Sequence, residues 1–233
     1  MRTEEKLFLE EEEQERALLE QFRKREEEFV LSEYREKAFG QARLLWQCTF
    51  DRDNGDVPQL DYARRYAEHW EDMERENQGL LLWGPTGTGK TFAAACIANA
   101  LVERLVTVRM TTLGQVLLRL FGLDGGARME YLEDLVGCRL LILDDFGMER
   151  QTQYAQEQVY ELINRRYLSG RPMIVTTNLT HQELTQTPEL ERRRIYDRVL
   201  ERCVPVRFDG ANQRQAQAAE AQRRMRQLLD GAG

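Results

Sequence analysis

The stretch from Leu80 to Thr91 reads Leu-Leu-Leu-Trp-Gly-Pro-Thr-Gly-Thr-Gly-Lys-Thr and constrains the fold of this chain more than any other. An apolar run enters a glycine-rich loop that ends in Lys-Thr, and a helix pattern of small and apolar residues follows at 92–101. The spacing fits G-x-x-x-x-G-K-S/T, a loop that binds polyphosphates. A chance glycine turn between a strand and a helix is the alternative, and a second motif at 140–147 weakens it.

Each residue type in this loop has a chemical reason. Glycines let backbone N–H groups approach a phosphate without a Cβ in between, and the following helix directs its N-terminal N–H groups at the same anion. Lys90 is long enough to reach the β- and γ-phosphates, and the Thr91 hydroxyl is a ligand for Mg²⁺. The sequence predicts a site for ATP and Mg²⁺ whose phosphate contacts come from eight consecutive residues: Gly84, Pro85, Thr86, Gly87, Thr88, Gly89, Lys90 and Thr91.

The second motif is a carboxylate pair that follows an apolar strand pattern. The four residues of 140–143 are typical of a strand buried on both faces of a parallel sheet, and Asp144 and Asp145 come next. Ligands of open α/β sheets lie at the carboxyl ends of the strands. We expect Asp144 to hold Mg²⁺ through water and Asp145 to polarise the attacking water as general base. Carboxylates that only cap a strand end are the alternative, and this interpretation would be preferred without the phosphate loop.

Further candidates for catalysis are an asparagine and the arginines near the C-terminus. Asn178 directly follows the apolar, β-branched stretch 173–177 and is placed to orient the attacking water or to contact the γ-phosphate; a turn residue is the alternative. Phosphoryl transfer also gains from a cation at the γ-phosphate, which a neighbouring subunit often supplies. Arg198 and Arg214 are our candidates, although spacing alone does not distinguish them from the other arginines of this region.

Strand and helix patterns alternate over residues 80–208, which predicts an α/β fold with a doubly wound, mostly parallel sheet. Before it, a helix capped by Asp61 extends to about Arg75, and residues 47–62 are candidates to flank the base of the nucleotide. Asp124-Gly125-Gly126 is predicted to be a turn. The predicted strands are 80–83, 106–110, 140–143, 173–177 and 204–208.

Charge is distributed unevenly around the formal net value of −7. Residues 1–40 hold 13 Glu against 8 Lys and Arg, whereas residues 192–233 hold 10 Arg against 5 acidic residues. The basic segment suits a surface that binds nucleic acid, and solvated helix faces are the alternative for both segments. Strong helix formers in 1–40 predict a helical arm that docks a partner or, as the alternative, a frayed charged tail. We divide the chain into this arm (1–47) and an ATPase domain that ends in a short basic helix (48–233).

Composition excludes several other classes of protein. The four cysteines form no C-x-x-C pair and the chain has 2 His, so zinc-ligand spacing is absent and reduced thiols are expected. No apolar run approaches the about 18 residues of a membrane span, and the N-terminus has no apolar signal segment. We therefore expect a cytoplasmic protein with no membrane partner and no zinc.

The motifs together resemble the AAA+ ATPases of the DnaC/DnaI-type replicative helicase loaders, to which the IstB-type transposition ATPases are closely related. The resemblance implies a parallel five-stranded sheet of order 5-1-4-3-2. It also implies that Asn178 is sensor 1, that Arg198 is the arginine finger reaching the next subunit, and that Arg214 is the sensor 2 arginine of its own subunit. The segments that carry it lie within residues 48–220: Gly84–Thr91, Cys96–Leu101, Leu140–Gly147, Ile174–Asn178, Ile195–Leu200 and Gly210–Arg214.

Loaders of this group form oligomers with ATP, bind single-stranded DNA and deliver the replicative helicase, so the resemblance implies these partners. Many relatives carry a Cys-rich zinc module before the ATPase domain, and the acidic arm stands in its place here. Two other functions stay open. One is a transposition helper ATPase with duplex DNA and a transposase as partners. The other is a nucleotide-switch adaptor with little turnover, since Asp145 stands where most AAA+ proteins have Glu. For DNA we expect contacts from four residues after the second strand: Arg109, Thr111, Thr112 and Arg119.

Overall fold

The computed structural model describes residues 2–53, 55–148 and 152–231. Helices and strands alternate through these ranges, and two 3₁₀ turns, Arg43–Gln47 and Phe50–Arg52, separate the first helix from the second. None of the helices there combines the length and the apolar character needed to cross a membrane. The elements are α1 (Arg2–Phe39), α2 (Leu60–Glu68), α3 (Trp70–Arg75), β1 (Gly79–Trp83), α4 (Lys90–Val102), β2 (Val108–Thr112), α5 (Leu113–Phe121), α6 (Gly125–Gly137), β3 (Leu140–Phe146), α7 (Gln153–Leu168), β4 (Met173–Thr177), α8 (His181–Thr185), α9 (Leu190–Arg202), β5 (Cys203–Arg207) and α10 (Gln213–Leu229).

The five strands form one parallel sheet of order β2-β3-β4-β1-β5, which is the predicted order 5-1-4-3-2 seen from the other edge. Leu80 and Leu82 of β1 pack into the apolar layer that contains α2 and α4, whereas Leu81 packs into the layer that contains α5, α7 and α9. Burial on both faces explains the continuous apolar runs. The order brings the carboxyl ends of β1, β3 and β4 side by side, where parallel α/β sheets bind ligands.

The second strand begins later than the sequence predicts, at Val108 rather than Val106. Leu105 has a left-handed φ of 55°, and the N–H of Val106 donates to the carbonyl of Leu101 at 3.0 Å. This bond closes the C-terminus of α4 in the manner of a left-handed helix cap. Val106 is therefore buried as part of the helix end, and the extended backbone starts after it.

Two further local predictions are wrong. The helix predicted over 61–75 is divided at His69, whose φ of −98° and ψ of 29° interrupt the helical backbone, and Asp61 lies in the first turn rather than at the N-cap. Asp124–Gly126 is not a turn, because the Asp124 carboxylate accepts a first-turn N–H at 3.1 Å and caps α6. A strong N-cap thus overrides the low helix propensity of the two glycines.

The C-terminal end of the arm helix α1 packs against the sheet domain. Ala38 and Phe39 are buried with α4 and β2, and Arg109 of β2 holds the last turn by donating to the carbonyl of Lys37 while it pairs with Asp134 of α6. The domain boundary between residues 47 and 48 stays a prediction. The apolar core of the sheet domain includes Ala38 and Phe39, which lie before that boundary. Four apolar side chains nearer the N-terminus are exposed: Leu18, Leu19, Phe22 and Phe29.

A buried arginine connects α7 to the amino ends of β3 and β4, at the end of the sheet opposite the phosphate loop. Arg166 is 0% exposed and donates to the carbonyls of Val136 and Cys138, both at 2.7 Å, and to those of Arg139 and Pro172. Burial lowers the pKa of Arg166 to about 10, which leaves it charged at pH 7. One guanidinium therefore provides the donors for four carbonyls, one in the last turn of α6 and three in the segments that lead into β3 and β4.

We expect Arg166→Met to lower the free energy of unfolding by about 3 kcal/mol, because it leaves several buried carbonyls without a donor. Urea denaturation followed by circular dichroism measures the change. The matched control is Arg165→Met. Arg165 forms a partly exposed i,i+4 pair with Glu161, and such pairs contribute about 0.5 kcal/mol. Equal effects of the two substitutions would contradict a structural role for Arg166.

Candidate nucleotide site

The loop 84–89 joins the carboxyl end of β1 to Lys90, the first residue of α4. Gly84, Gly87 and Gly89 have φ values of 137°, 85° and 100°, which residues with a Cβ rarely adopt. A Cβ at Gly84 would also lie 2.1 Å from the carbonyl oxygen of Phe208. The path of the loop therefore depends on these glycines, as the predicted phosphate-binding motif requires.

The ammonium group of Lys90 lies inside this loop. Its Nζ donates to the carbonyl oxygens of Gly84 and Pro85, both at 2.7 Å, and the residue is 5% exposed. Burial lowers the pKa of Lys90, and the nearby carboxylates of Asp145 and Asp144 oppose that shift. The loop thus holds the Lys90 ammonium at the N-terminus of α4. The ammonium and the helix dipole both favour an anion bound at this place.

Thr91, Asp144 and Thr176 form a hydrogen-bonded group beside the loop. The Thr91 hydroxyl lies 3.0 Å from Oδ1 of Asp144, and the Thr176 hydroxyl donates to the same oxygen at 2.6 Å. Asp144 is 8% exposed, and burial raises its pKa although the bond from Thr176 acts against this. Thr176, at the adjoining end of β4, is a residue that the sequence analysis missed.

Asp145 occupies a bulge in β3 that turns its side chain away from the core. The β3–β4 register shifts between Leu143 and Phe146, and Asp145 has a left-handed φ of 54°. Its N–H donates to the Thr176 hydroxyl at 3.0 Å. A bulge changes the direction of a side chain, so Asp144 is buried while its neighbour is exposed and lines the pocket. One threonine hydroxyl therefore positions both aspartates.

The donor set of this group fits Mg²⁺. Thr91 and Asp144 offer a hydroxyl and a carboxylate, which are hard oxygen ligands, and magnesium takes its remaining ligands from phosphates and water. Within residues 2–53, 55–148 and 152–231, no cluster of three or more His, Cys, Asp or Glu could hold a metal ion.

A cavity of about 460 Å³ opens next to the loop and collects most of the predicted residues. Asn178, which directly follows β4, lines it together with Asp145 and Arg214. Arg214 lies in the first turn of α10, and the N–H of Gln213 donates to the carbonyl of Gly87 at 2.9 Å. The start of α10 is therefore bound to the phosphate loop, which brings the C-terminal arginine to the pocket of its own chain.

Arg198 lies outside this cavity. It projects from α9 over α7, where its guanidinium stands 5.0 Å from the ring centre of Tyr160 and 5.7 Å from that of Tyr167. It also donates to the Tyr160 hydroxyl at 3.3 Å and to the carbonyl of Arg194 at 3.0 Å. The structure thus separates the two predicted arginines, since one lines the pocket of this chain and the other is half-buried on another surface.

The far end of the cavity is an apolar wall that sequence reasoning located only as a region. The predicted base-flanking stretch 47–62 contributes part of the lining, and Asn178 and the loop contribute other parts of it. The residue types gave no signal, because ordinary leucines and valines form the wall. Its members are Leu44, Leu45, Cys48, Val57, Leu60 and Phe92, and the charged Arg52 and Asp53 line the cavity beside them.

The segment expected to contact DNA divides into two groups. Arg109 is already engaged at the end of α1, and Thr112 caps α5 by accepting the N–H of Gln115 at 3.2 Å. Arg119 lies on α5, whose apolar residues Leu118 and Phe121 are exposed. Of the two arginines in this segment, Arg119 is therefore the exposed one, on a helix that also exposes the Phe121 ring.

The fold is that of AAA+ P-loop ATPases. The structure superposes on the crystal structure of DnaI with a TM-score of 0.63 at 23% identity, over 76% of this chain and 96% of that one. For the DnaC helicase loader the TM-score is 0.60 at 22% identity, over 72% of this chain and 100% of that one. AMPPCP-bound DnaA from Aquifex aeolicus gives 0.56 at 18% identity, over 70% and 50%.

Sequence comparison gives the family. The chain is 28% identical to the replicative helicase loader DnaC of Escherichia coli K12, over 67% of this chain and 64% of DnaC. It is 28% identical to the loader DnaI of Bacillus subtilis, over 66% of this chain and 51% of DnaI. The match thus spans less than two thirds of these relatives. The profile of the IstB-like ATP binding proteins matches residues 42–221. The chain therefore belongs to the family of IstB-like ATP binding proteins.

Proposed function

We propose that this chain is a Mg²⁺-dependent ATPase that loads a replicative helicase onto single-stranded DNA in the cytoplasm. The observation that carries the proposal is the cavity lined by Lys90 and Thr91, beside which Thr91 bonds to Asp144, in a chain that belongs to an ATP-binding family. The helicase and DNA partners rest on the relatives, which are named replicative helicase loaders. The N-terminal arm is the proposed docking region for a partner, and residues 48–233 are the proposed ATPase domain.

In this proposal, each residue of the loop and of the strand ends has a separate role in binding or hydrolysing ATP. The loop 84–89 and Lys90 bind the phosphates, and Thr91 and Asp144 would hold a Mg²⁺ ion, which would supply positive charge against the phosphates. Asp145 takes a proton from the attacking water, and Asn178 orients that water. Thr176 keeps the two carboxylates in their separate positions. Arg214 contacts the nucleotide from within the same chain.

Arg198 completes the site of a neighbouring subunit. Arg198 lies outside the cavity of its own chain, over Tyr160. This position supports a role in trans, because from there the guanidinium can reach a nucleotide only in the cavity of a neighbouring subunit. The charge of an arginine finger stabilises the transition state, and its loss lowers turnover by about 10³-fold or more. ATP thereby promotes the assembly of a homo-oligomer.

Single-stranded DNA binding is assigned to α5. Arg119 provides a cation and Phe121 an exposed ring, and this combination binds the backbone and stacks on bases without sequence preference. Binding that depends on arginine–phosphate contacts weakens steeply as salt increases. Affinity for single strands that does not change with salt would contradict this assignment.

The second candidate function is a transposition helper ATPase. It is favoured by a 33% identity with a Mycobacterium tuberculosis protein named for ATP binding in an insertion sequence, over 59% of this chain and 55% of that protein. This function predicts a preference for duplex DNA and a transposase partner.

A nucleotide-switch adaptor with little turnover is the third candidate, which the short side chain of Asp145 favours. Unchanged turnover after Asp145→Asn would remove Asp145 from the role of general base.

We expect Lys90→Ala to abolish the thermal stabilisation by Mg-ATP. A ligand at a hundred times its Kd stabilises a native protein by about 2.7 kcal/mol, which scanning fluorimetry detects as a rise in Tm. The control is Lys24→Ala, which removes an exposed lysine paired only with Glu20 across one helix turn. A wild-type response in the Lys90 variant would refute the phosphate-loop assignment.

We expect Arg198→Ala to bind ATP normally and to lose hydrolysis by about 10³-fold, whereas Arg194→Ala on the same helix keeps it. Mixing Arg198→Ala with Asp145→Asn should recover activity at about one interface in four, because the intact base of one subunit then meets the intact finger of the other. Mixing Arg214→Ala with Asp145→Asn should recover none, since both residues serve the same subunit. No recovery in the first mixture, with oligomers intact, argues against a role in trans.

The partner is tested by affinity capture with Mg-ATP from host lysate, followed by identification of the captured helicase by mass spectrometry. The shortened variant begins at Glu33, so that the buried Ala38 and Phe39 remain and the domain stays folded. Recovery of a replicative helicase by the full chain, and its loss with the shortened variant, supports a loader that docks through its arm. Recovery of a transposase by the full chain would favour the second candidate.

A further inference from the structure

One buried amide joins the helix after the phosphate loop to the apolar wall of the cavity. Nδ2 of Asn99, on α4, donates to the carbonyls of Leu45 and Cys48 at 2.8 Å each, and to that of Ala95 at 3.0 Å. Asn99 is 1% exposed and does not line the cavity. Its effect on a ligand must therefore pass through the segment 45–48 that it holds.

The side chains of this segment are only partly buried, and Leu45, Trp46 and Cys48 pack against the edge of the apolar core. The segment continues the 3₁₀ turn Arg43–Gln47, in which no residue is fully buried, and it follows the end of α1 after a short loop. Leu45 and Cys48 nevertheless line the cavity. Partial packing leaves much of the position of this segment to its backbone hydrogen bonds, and two of its carbonyls bond to the same side-chain amide.

The other end of the cavity is built on the same helix. Lys90 and Thr91 begin α4, and the two turns between them and Asn99 contain fully buried small residues such as Ala94 and Ala95. Close-packed small residues make this helix a rigid connection. The distance from the phosphate loop to the wall is thus fixed through α4 and one asparagine.

We infer that Asn99 is a positioning residue for the base of the bound nucleotide. The inference rests on the proposed ATP site, because the apolar wall is where a flat aromatic base fits once the polyphosphate occupies the loop. Asn99 sets the distance between that wall and Lys90. Removing the amide releases the wall from α4 without changing any residue of the phosphate loop.

The test compares two ligands that share the phosphates and differ in the base. We expect Asn99→Leu, which has a similar size and no donor, to raise the Kd for Mg-ATP about tenfold and to leave the Kd for Mg-tripolyphosphate within a factor of two. Isothermal titration calorimetry measures both constants. Asn99→Asp is the second variant, and we expect a smaller rise because a protonated carboxyl keeps one donor.

The control is Ile97→Ala, which truncates a buried side chain of the same helix that makes no hydrogen bond to the wall. It should lower Tm and leave the ratio of the two constants unchanged. Equal rises in the Kd for both ligands in the Asn99 variants would mean that Asn99 contributes only to general stability, and would overturn the inference. So would a wild-type protein that binds ATP no tighter than tripolyphosphate, whereas no binding of either ligand would instead overturn the ATP site itself.

Discussion

The parallel pairing of β4 with both β3 and β1 is the constraint on which the site depends. Trp83 of β1 and Phe146 of β3 are both in register with Thr177, so three strand ends stop at the same level. Thr176, one residue earlier, then reaches across to Asp144 and Asp145. The loop at the end of β1 and the carboxylates at the end of β3 meet only because β4 lies between the two strands.

Burial acts against both principal charges of this site. It lowers the pKa of Lys90 and raises that of Asp144, because desolvation disfavours the ammonium and the carboxylate alike. Each group keeps compensating polar contacts, from loop carbonyls in one case and from threonine hydroxyls in the other. A polyphosphate and a divalent cation supply the opposite charges that the two groups lack. The electrostatics of the pocket therefore match the ligand pair inferred from its geometry.

What the sequence predicted correctly was encoded locally or by simple alternation. The phosphate loop is a contiguous motif, and the strand–helix alternation led to the observed sheet. What it missed depends on contacts between distant segments. The bulge at Asp145 arises from a register shift against β4, the wall at Leu45 is held by a residue on α4, and the break at His69 has no Gly or Pro signal. Side-chain types carry little information about such contacts, because the same residues serve in any core.

The aromatic site of Arg198 has a consequence for assembly that concerns entropy rather than charge. A free arginine side chain loses about 2 kcal/mol of rotamer entropy when it is fixed in one conformation. Tyr160 and Tyr167 already restrict this guanidinium within the isolated subunit. In the homo-oligomer proposed above, part of the ordering cost of Arg198 is thus met during folding, before two subunits meet. A subunit that presents an ordered cation needs less from its neighbour than one whose arginine moves freely in solvent.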